Sequence, residues 1–127
     1  MHFDLTRDRS MLAQLRARPH RTATRRPWLR LVSEVLQLAG GQAEFLRHGE
    51  RPWASATFSG SRHTIALAFD GSDAVAQGEA FIATLPDHEF RIPGQLVADA
   101  TIASVDHVAG PPPRLVVEAD LLLLDDG

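Results

Sequence analysis

The chain has 127 residues, 44% hydrophobic and 23% charged, a composition that supports one globular core and argues against collagen-like, disordered and membrane-embedded classes. It contains no cysteine, which removes disulfides, thiolate zinc sites and a cysteine nucleophile and agrees with a reducing, cytoplasmic setting. All 13 basic residues are arginine, as a GC-rich, bacterial-type genome produces; residues 1–30 carry eight Arg against Asp4 and Asp8, for +6, while residues 31–127 carry five Arg against fourteen acids, for −9.

The first predicted element is a short helix from Asp8 to Arg18, capped by Asp8, striped with Met11, Leu12 and Leu15, and stopped by Pro19. The stretch from His20 to Arg26 has no apolar periodicity. Residues 1–26 therefore read as a basic arm and residues 27–127 as a single α+β domain. Such an arm docks on an acidic protein surface, its own or a neighbour's, or on an outside anion. Its candidate binding residues are Arg16, Arg18, Arg21, Arg25 and Arg26.

The clearest helix begins at Pro27, places Trp28, Leu31, Val32, Val35, Leu36 and Ala39 at helical spacing, and ends at Gly40-Gly41. Trp28, at the head of this stripe, reads as core. A short strand over 43–48 and a turn at Gly49-Glu50-Arg51-Pro52 follow. Strands over 53–59 and 62–69 then flank Gly60-Ser61, which suits a two-residue hairpin turn. That turn sets Phe58 opposite His63, Ala56 opposite Ile65 and Ala54 opposite Leu67.

Asp70-Gly71-Ser72-Asp73 introduces a helix with Ala74, Val75, Gly78, Phe81, Ile82 and Leu85 on one side, ended by Pro86; Gly78 permits close approach to a sheet. Three strands close the chain. They are 88–92, 96–106 after a Pro93-Gly94 turn, and 114–124 after Gly110-Pro111-Pro112-Pro113. Ala98, Ala100 and Ile102 share a core face with Ala119, Leu121 and Leu123, while Asp99, Thr101, Glu118 and Asp120 take the other. The longest apolar run, 115–124, is broken by Glu118 and Asp120 and is too short to span a bilayer. The fold expected is an α+β domain: an antiparallel sheet of five to six strands with a helix on one face, preceded by an N-terminal helical segment, in a hotdog-like arrangement.

Among six histidines there is no His-Glu-x-x-His pair, nor a His-x-Glu element with a companion Cys-x-x-Cys, so no metal ligands and no cofactor are assigned. His63 and His88 both point to apolar faces beside phenylalanines. With Glu89 they are the weak candidates for catalysis, against the commoner reading of a buried histidine bonded to the backbone. Ser59, Ser61 and Ser72 lie nearest His63 and Asp70 in sequence, but without a Gly-x-Ser-x-Gly elbow they read as turn and capping residues. Acids flank the start of the 73–85 helix and disfavour phosphate there.

The absence of a catalytic signature and the split of charge favour a non-catalytic, self-associating binding or assembly domain, a homo-oligomer whose arm contacts an acidic protein partner. The alternatives are a small hotdog-like enzyme or carrier holding an acyl or other apolar molecule, and nucleic-acid binding through the arm. The acidic body and only eight aromatics weigh against the last.

Overall fold

The computed structural model describes residues 27–125; the predicted 8–18 helix and the arm lie outside them. The first helix, α1 (Pro27–Ala39), is followed by strands β1 (Ala43–Ala54) and β2 (Ser59–Asp70). Helix α2 (Ser72–Thr84) comes next and runs into a single 3₁₀ turn, Leu85–Asp87. Strands β3 (Gln95–Val108) and β4 (Arg114–Asp125) complete an α+β unit. The sheet has the order β1-β2-β4-β3, antiparallel throughout. No helix among the described residues is long and apolar enough to cross a membrane.

Both helices bury their stripes against one face of this sheet. Leu31, Val35 and Ala39 of α1 and Ala74, Val75 and Phe81 of α2 form one cluster with Ile65, Leu67 and Phe69 of β2 and Leu115, Val117, Ala119, Leu121 and Leu123 of β4. At Gly78 the approach is so close that a Cβ would lie 2.7 Å from Leu115 and from Phe69, the contact expected of a helical glycine on a sheet. α1 stops at Gly40, where φ is +94° and a side chain would be strained. The cap of α2 is Gly71, with no side-chain bond. Ser72, expected as a capping residue, is instead the first residue of the helix, and Asp70 takes both 2.7 Å bonds donated by Arg114.

The sheet has four strands where five to six were expected, and two local errors account for the difference. The first is the hairpin turn. Gly60-Ser61 is strand; the chain reverses at 55–58, where Ser55 N–H donates to the Phe58 carbonyl and Phe58 N–H to Ser55 Oγ. Gly60 serves close packing, since a Cβ there would sit 1.9 Å from the Leu123 carbonyl oxygen. Consequently 43–54 is one edge strand running through the supposed turn at 49–52. Its Pro52 is tolerated because β1 pairs on one side only. The expected Phe58–His63, Ala56–Ile65 and Ala54–Leu67 pairs are replaced by Glu50–His63, His48–Ile65 and Phe45–Leu67.

The second error is the 88–92 strand. Glu34 of α1 accepts from the Arg91 N–H and pairs with His88 Nε2 at 3.1 Å, so this stretch is tied to the helix and forms only an isolated bridge between Ile92 and Gln95. The β3–β4 pairing follows the expected alternation, with Ala100 opposite Leu121 and Ile102 opposite Ala119. A register shift between Val97 and Asp99 puts Val97, rather than Ala98, opposite Leu123.

Candidate metal centre

On β1, His48 and Glu50 are two residues apart and share the helix-facing side. On β2, Ser61 and His63 do the same, and the hairpin sets Glu50 directly opposite His63. His48 lies opposite Ile65, one diagonal step from His63, a distance long side chains span. The four side chains therefore converge at one end of the sheet. Trp28, from the first turn of α1, closes the group with its ring nearly parallel to that of His48, at 10° and 5.1 Å between centroids.

His48 Nε2 and His63 Nδ1 are 2.8 Å apart, and His63 Nε2 is 2.8 Å from Ser61 Oγ. The two imidazoles are near coplanar, at 22° with centroids 5.1 Å apart; with the nitrogens this close, they meet edge to edge through the hydrogen bond, not face to face. Each neutral imidazole has one donor and one acceptor, so the chain Ser61–His63–His48 runs in one of two directions. In one, His48 donates to His63 Nδ1 and His63 Nε2 donates to Ser61; in the other, Ser61 donates to His63 and His63 to His48.

Both imidazoles are buried, at 1% and 0% exposure. Burial penalises the imidazolium and lowers the His48 pKa to about 4. It lowers that of His63 to about 3, with repulsion from His48 adding to the effect. Both are thus neutral near pH 7, the state in which histidine binds metal. Glu50 experiences the opposite shift: desolvation raises its carboxyl pKa. No described residue forms an ion pair or hydrogen bond with that carboxylate, and one oxygen of Glu50 and one nitrogen from each of His48 and His63 all lie within 4.8 Å of one another.

These groups fit a cation. Metal–ligand bonds of about 2.0–2.2 Å in a tetrahedron separate the ligand atoms by about 3.3 Å. The imidazole nitrogens must open by about 0.5 Å and the two rings, which now point straight at one another, must each turn toward a common point, while the flexible Glu50 side chain closes the remainder. Coordination through His48 Nε2 and His63 Nδ1 selects the direction in which His63 Nε2 donates to Ser61 Oγ. Ser61 then holds the ring in the ligating tautomer.

Ser61–His63–His48 also has the order of a nucleophile, a base and an orienting group. Three features oppose that use. Ser61 sits on a regular strand, β2 spends its backbone N–H groups in ladders on both sides, leaving none for an oxyanion, and a base with a pKa near 3 takes a proton poorly at neutral pH.

Of the residues singled out from sequence, His63 lies at the centre of this group and His88 belongs to a different one, paired with Glu34 and edge-on to Phe90 at 4.6 Å. Glu89 is exposed and joins neither. Trp28 stacks on His48 besides packing at the helix head, and its indole N–H is buried without a hydrogen-bond partner among the described residues. Arg16, Arg18, Arg21, Arg25 and Arg26 lie outside the described residues. His48 and Glu50 were not singled out as site residues from sequence, and Ser61, weighed beside His63, was read as a turn residue. The signal was a His-x-Glu alternation on one strand, and the misplaced turn hid its partner across the hairpin. No protein-family model, curated protein or solved structure matches the chain, so the chemistry rests on the geometry above.

Proposed function

We propose that this domain binds one divalent transition-metal ion, zinc foremost, through His48 Nε2, His63 Nδ1 and a Glu50 carboxylate oxygen. The observation that carries the reading is a desolvated carboxylate, unpaired among the described residues, beside two buried, neutral imidazoles whose nitrogens face one another. An isolated negative charge in such a place is costly, and a cation offsets it. Two nitrogens and one oxygen suit zinc and related borderline metals better than calcium or magnesium. Three protein ligands leave a position for water, which zinc acidifies to a pKa of about 7. Hydrolysis or hydration of a small substrate is the chemistry such a centre supports. The hotdog-like carrier reading has less support, because at Gly78 helix and sheet meet with no room for even a methyl group.

The test is metal content and affinity of the full chain, stripped with chelator and reloaded with zinc. The expected result is about one equivalent bound, with Glu50→Gln and His63→Gln lowering affinity by about a hundredfold and Ser61→Ala by about tenfold. His107→Gln, on the exposed part of β3, leaves binding intact. Failure of the wild-type chain to retain zinc, or equal affinity in Glu50→Gln, refutes the assignment.

A further inference from the structure

The face of the sheet away from the helices holds a second feature, argued from residues other than the two histidines of the metal reading although Glu50 borders both. Register places Gly49, Thr64, Asp120 and Thr101 in one row across the four strands. The adjoining rows carry longer side chains: Arg47 and Glu118 on one side, Arg51 and Arg62 on the other. Small residues between long ones leave a hollow of about 300 Å³, lined by Gly49, Glu50, Arg51, Arg62, Thr64, Ala103, Glu118 and Asp120. That is the lower end of the range of small-ligand sites.

The charges in this hollow are incompletely matched. Arg62 donates to Asp120 Oδ2 and Arg47 to Glu118, each at 3.2 Å. Arg51 stands opposite Arg62, where like charges repel, and no acid among the described residues pairs with it. Asp120 Oδ1 is buried and accepts no hydrogen bond from any described residue, a state that costs free energy until a donor reaches it. The hollow thus presents Arg51, unpaired among the described residues, at one wall, with Glu50 also in the lining, and at another an acceptor on Asp120 that a donor reaches once the side chains over it shift.

We propose that this hollow binds a small organic carboxylate that carries a hydrogen-bond donor next to its acid group, with the carboxylate on Arg51 and the donor on Asp120 Oδ1. An α-ammonium and an α-hydroxyl both satisfy this chemistry. A carboxylate alone leaves Asp120 unsatisfied, and an amine alone leaves Arg51 unmatched.

Four five-carbon or matched four-carbon compounds separate these cases: L-norvaline, 2-hydroxyvalerate, valerate and 1-aminobutane. Each is titrated into the full chain while amide resonances of Gly49 and Thr64 are followed by NMR. The expected result is saturable shifts with L-norvaline or 2-hydroxyvalerate, the stronger of the two identifying the donor, and binding at least about tenfold weaker for valerate and 1-aminobutane. Asp120→Asn and Arg51→Gln each weaken the binding by about tenfold while zinc uptake is unchanged, which separates this hollow from the metal centre. Absence of saturable shifts with both bifunctional compounds, or valerate binding as tightly as they do, overturns the proposal.

Discussion

Consecutive residues of β1 and β2 face opposite sides of one sheet, and the two sides treat polar groups in opposite ways. By register Glu50 and His63 lie on the helix side and Gly49, Arg51, Arg62 and Thr64 on the other, with Glu50, on the edge strand, also lining the far-side hollow. On the helix side burial displaces titratable groups from their ordinary pKa values, and the two imidazoles bond to each other. On the far side long arginines reach acids across the strands through partly solvated ion pairs. A shift of one position along a strand thus separates a group whose protonation is tied to the core from one whose charge is tuned by solvent.

The largest difference between the faces is expected from side chains one residue apart in register. Leu121 is fully buried opposite His63 and Ala100, and Leu121→Ala should cost about 3 kcal/mol through lost burial and the cavity left behind. Thr101, exposed on the far face, should cost less than about 0.5 kcal/mol when changed to Ala. Urea unfolding of both variants measures this; comparable losses would mean that the far face is also a closed core.

Acid provides an effect at least as large. His48 and His63 have folded pKa values of about 4 and about 3, both below the ordinary histidine value of 6.5. The unfolded chain therefore binds more protons in this window. Their contribution is complete above pH 6.5 and is lost as pH falls toward 3. His48 alone accounts for about 3 kcal/mol. Glu50 acts in the other direction, because its raised pKa lets the folded state take up a proton first. Stability measured between pH 7 and 4 should fall, and His63→Gln should flatten the fall; an unchanged slope in that variant would place the acid sensitivity elsewhere.

The same contrast explains what the sequence disclosed. Helix α1 was legible because Leu31, Val35 and Ala39 repeat at 3.6 residues, and α2 because Gly78 and Phe81 do so between turn signals. The β3–β4 pair was legible because Ala100, Ile102, Ala119, Leu121 and Leu123 alternate with polar residues. What failed was long-range: Gly60 has the local chemistry of a turn, and only the carbonyl of Leu123, far along the chain, shows why glycine is needed in the strand. His88 to Ile92 alternates like a strand, yet Glu34 holds it to a helix. The candidate metal site was hidden by the first of these errors. A hairpin turn at Gly60-Ser61 sets His63 against Phe58; with the turn at 55–58, it meets Glu50.

The smallest expected effect sharpens the comparison from the far side. Arg47 and Glu118 are 3.2 Å apart with side chains 38% and 29% exposed. Water and salt screen such a pair, and holding two long side chains in place offsets part of the attraction. A double-mutant cycle of Arg47→Gln and Glu118→Gln should give a coupling of about 0.5 kcal/mol, falling toward zero in about 1 M salt. The acid-linked loss on the helix side involves groups shielded from solvent and should change little at the same ionic strength. A coupling of several kcal/mol that resists salt would show Arg47 and Glu118 to be desolvated, and the far face would then be covered in solution.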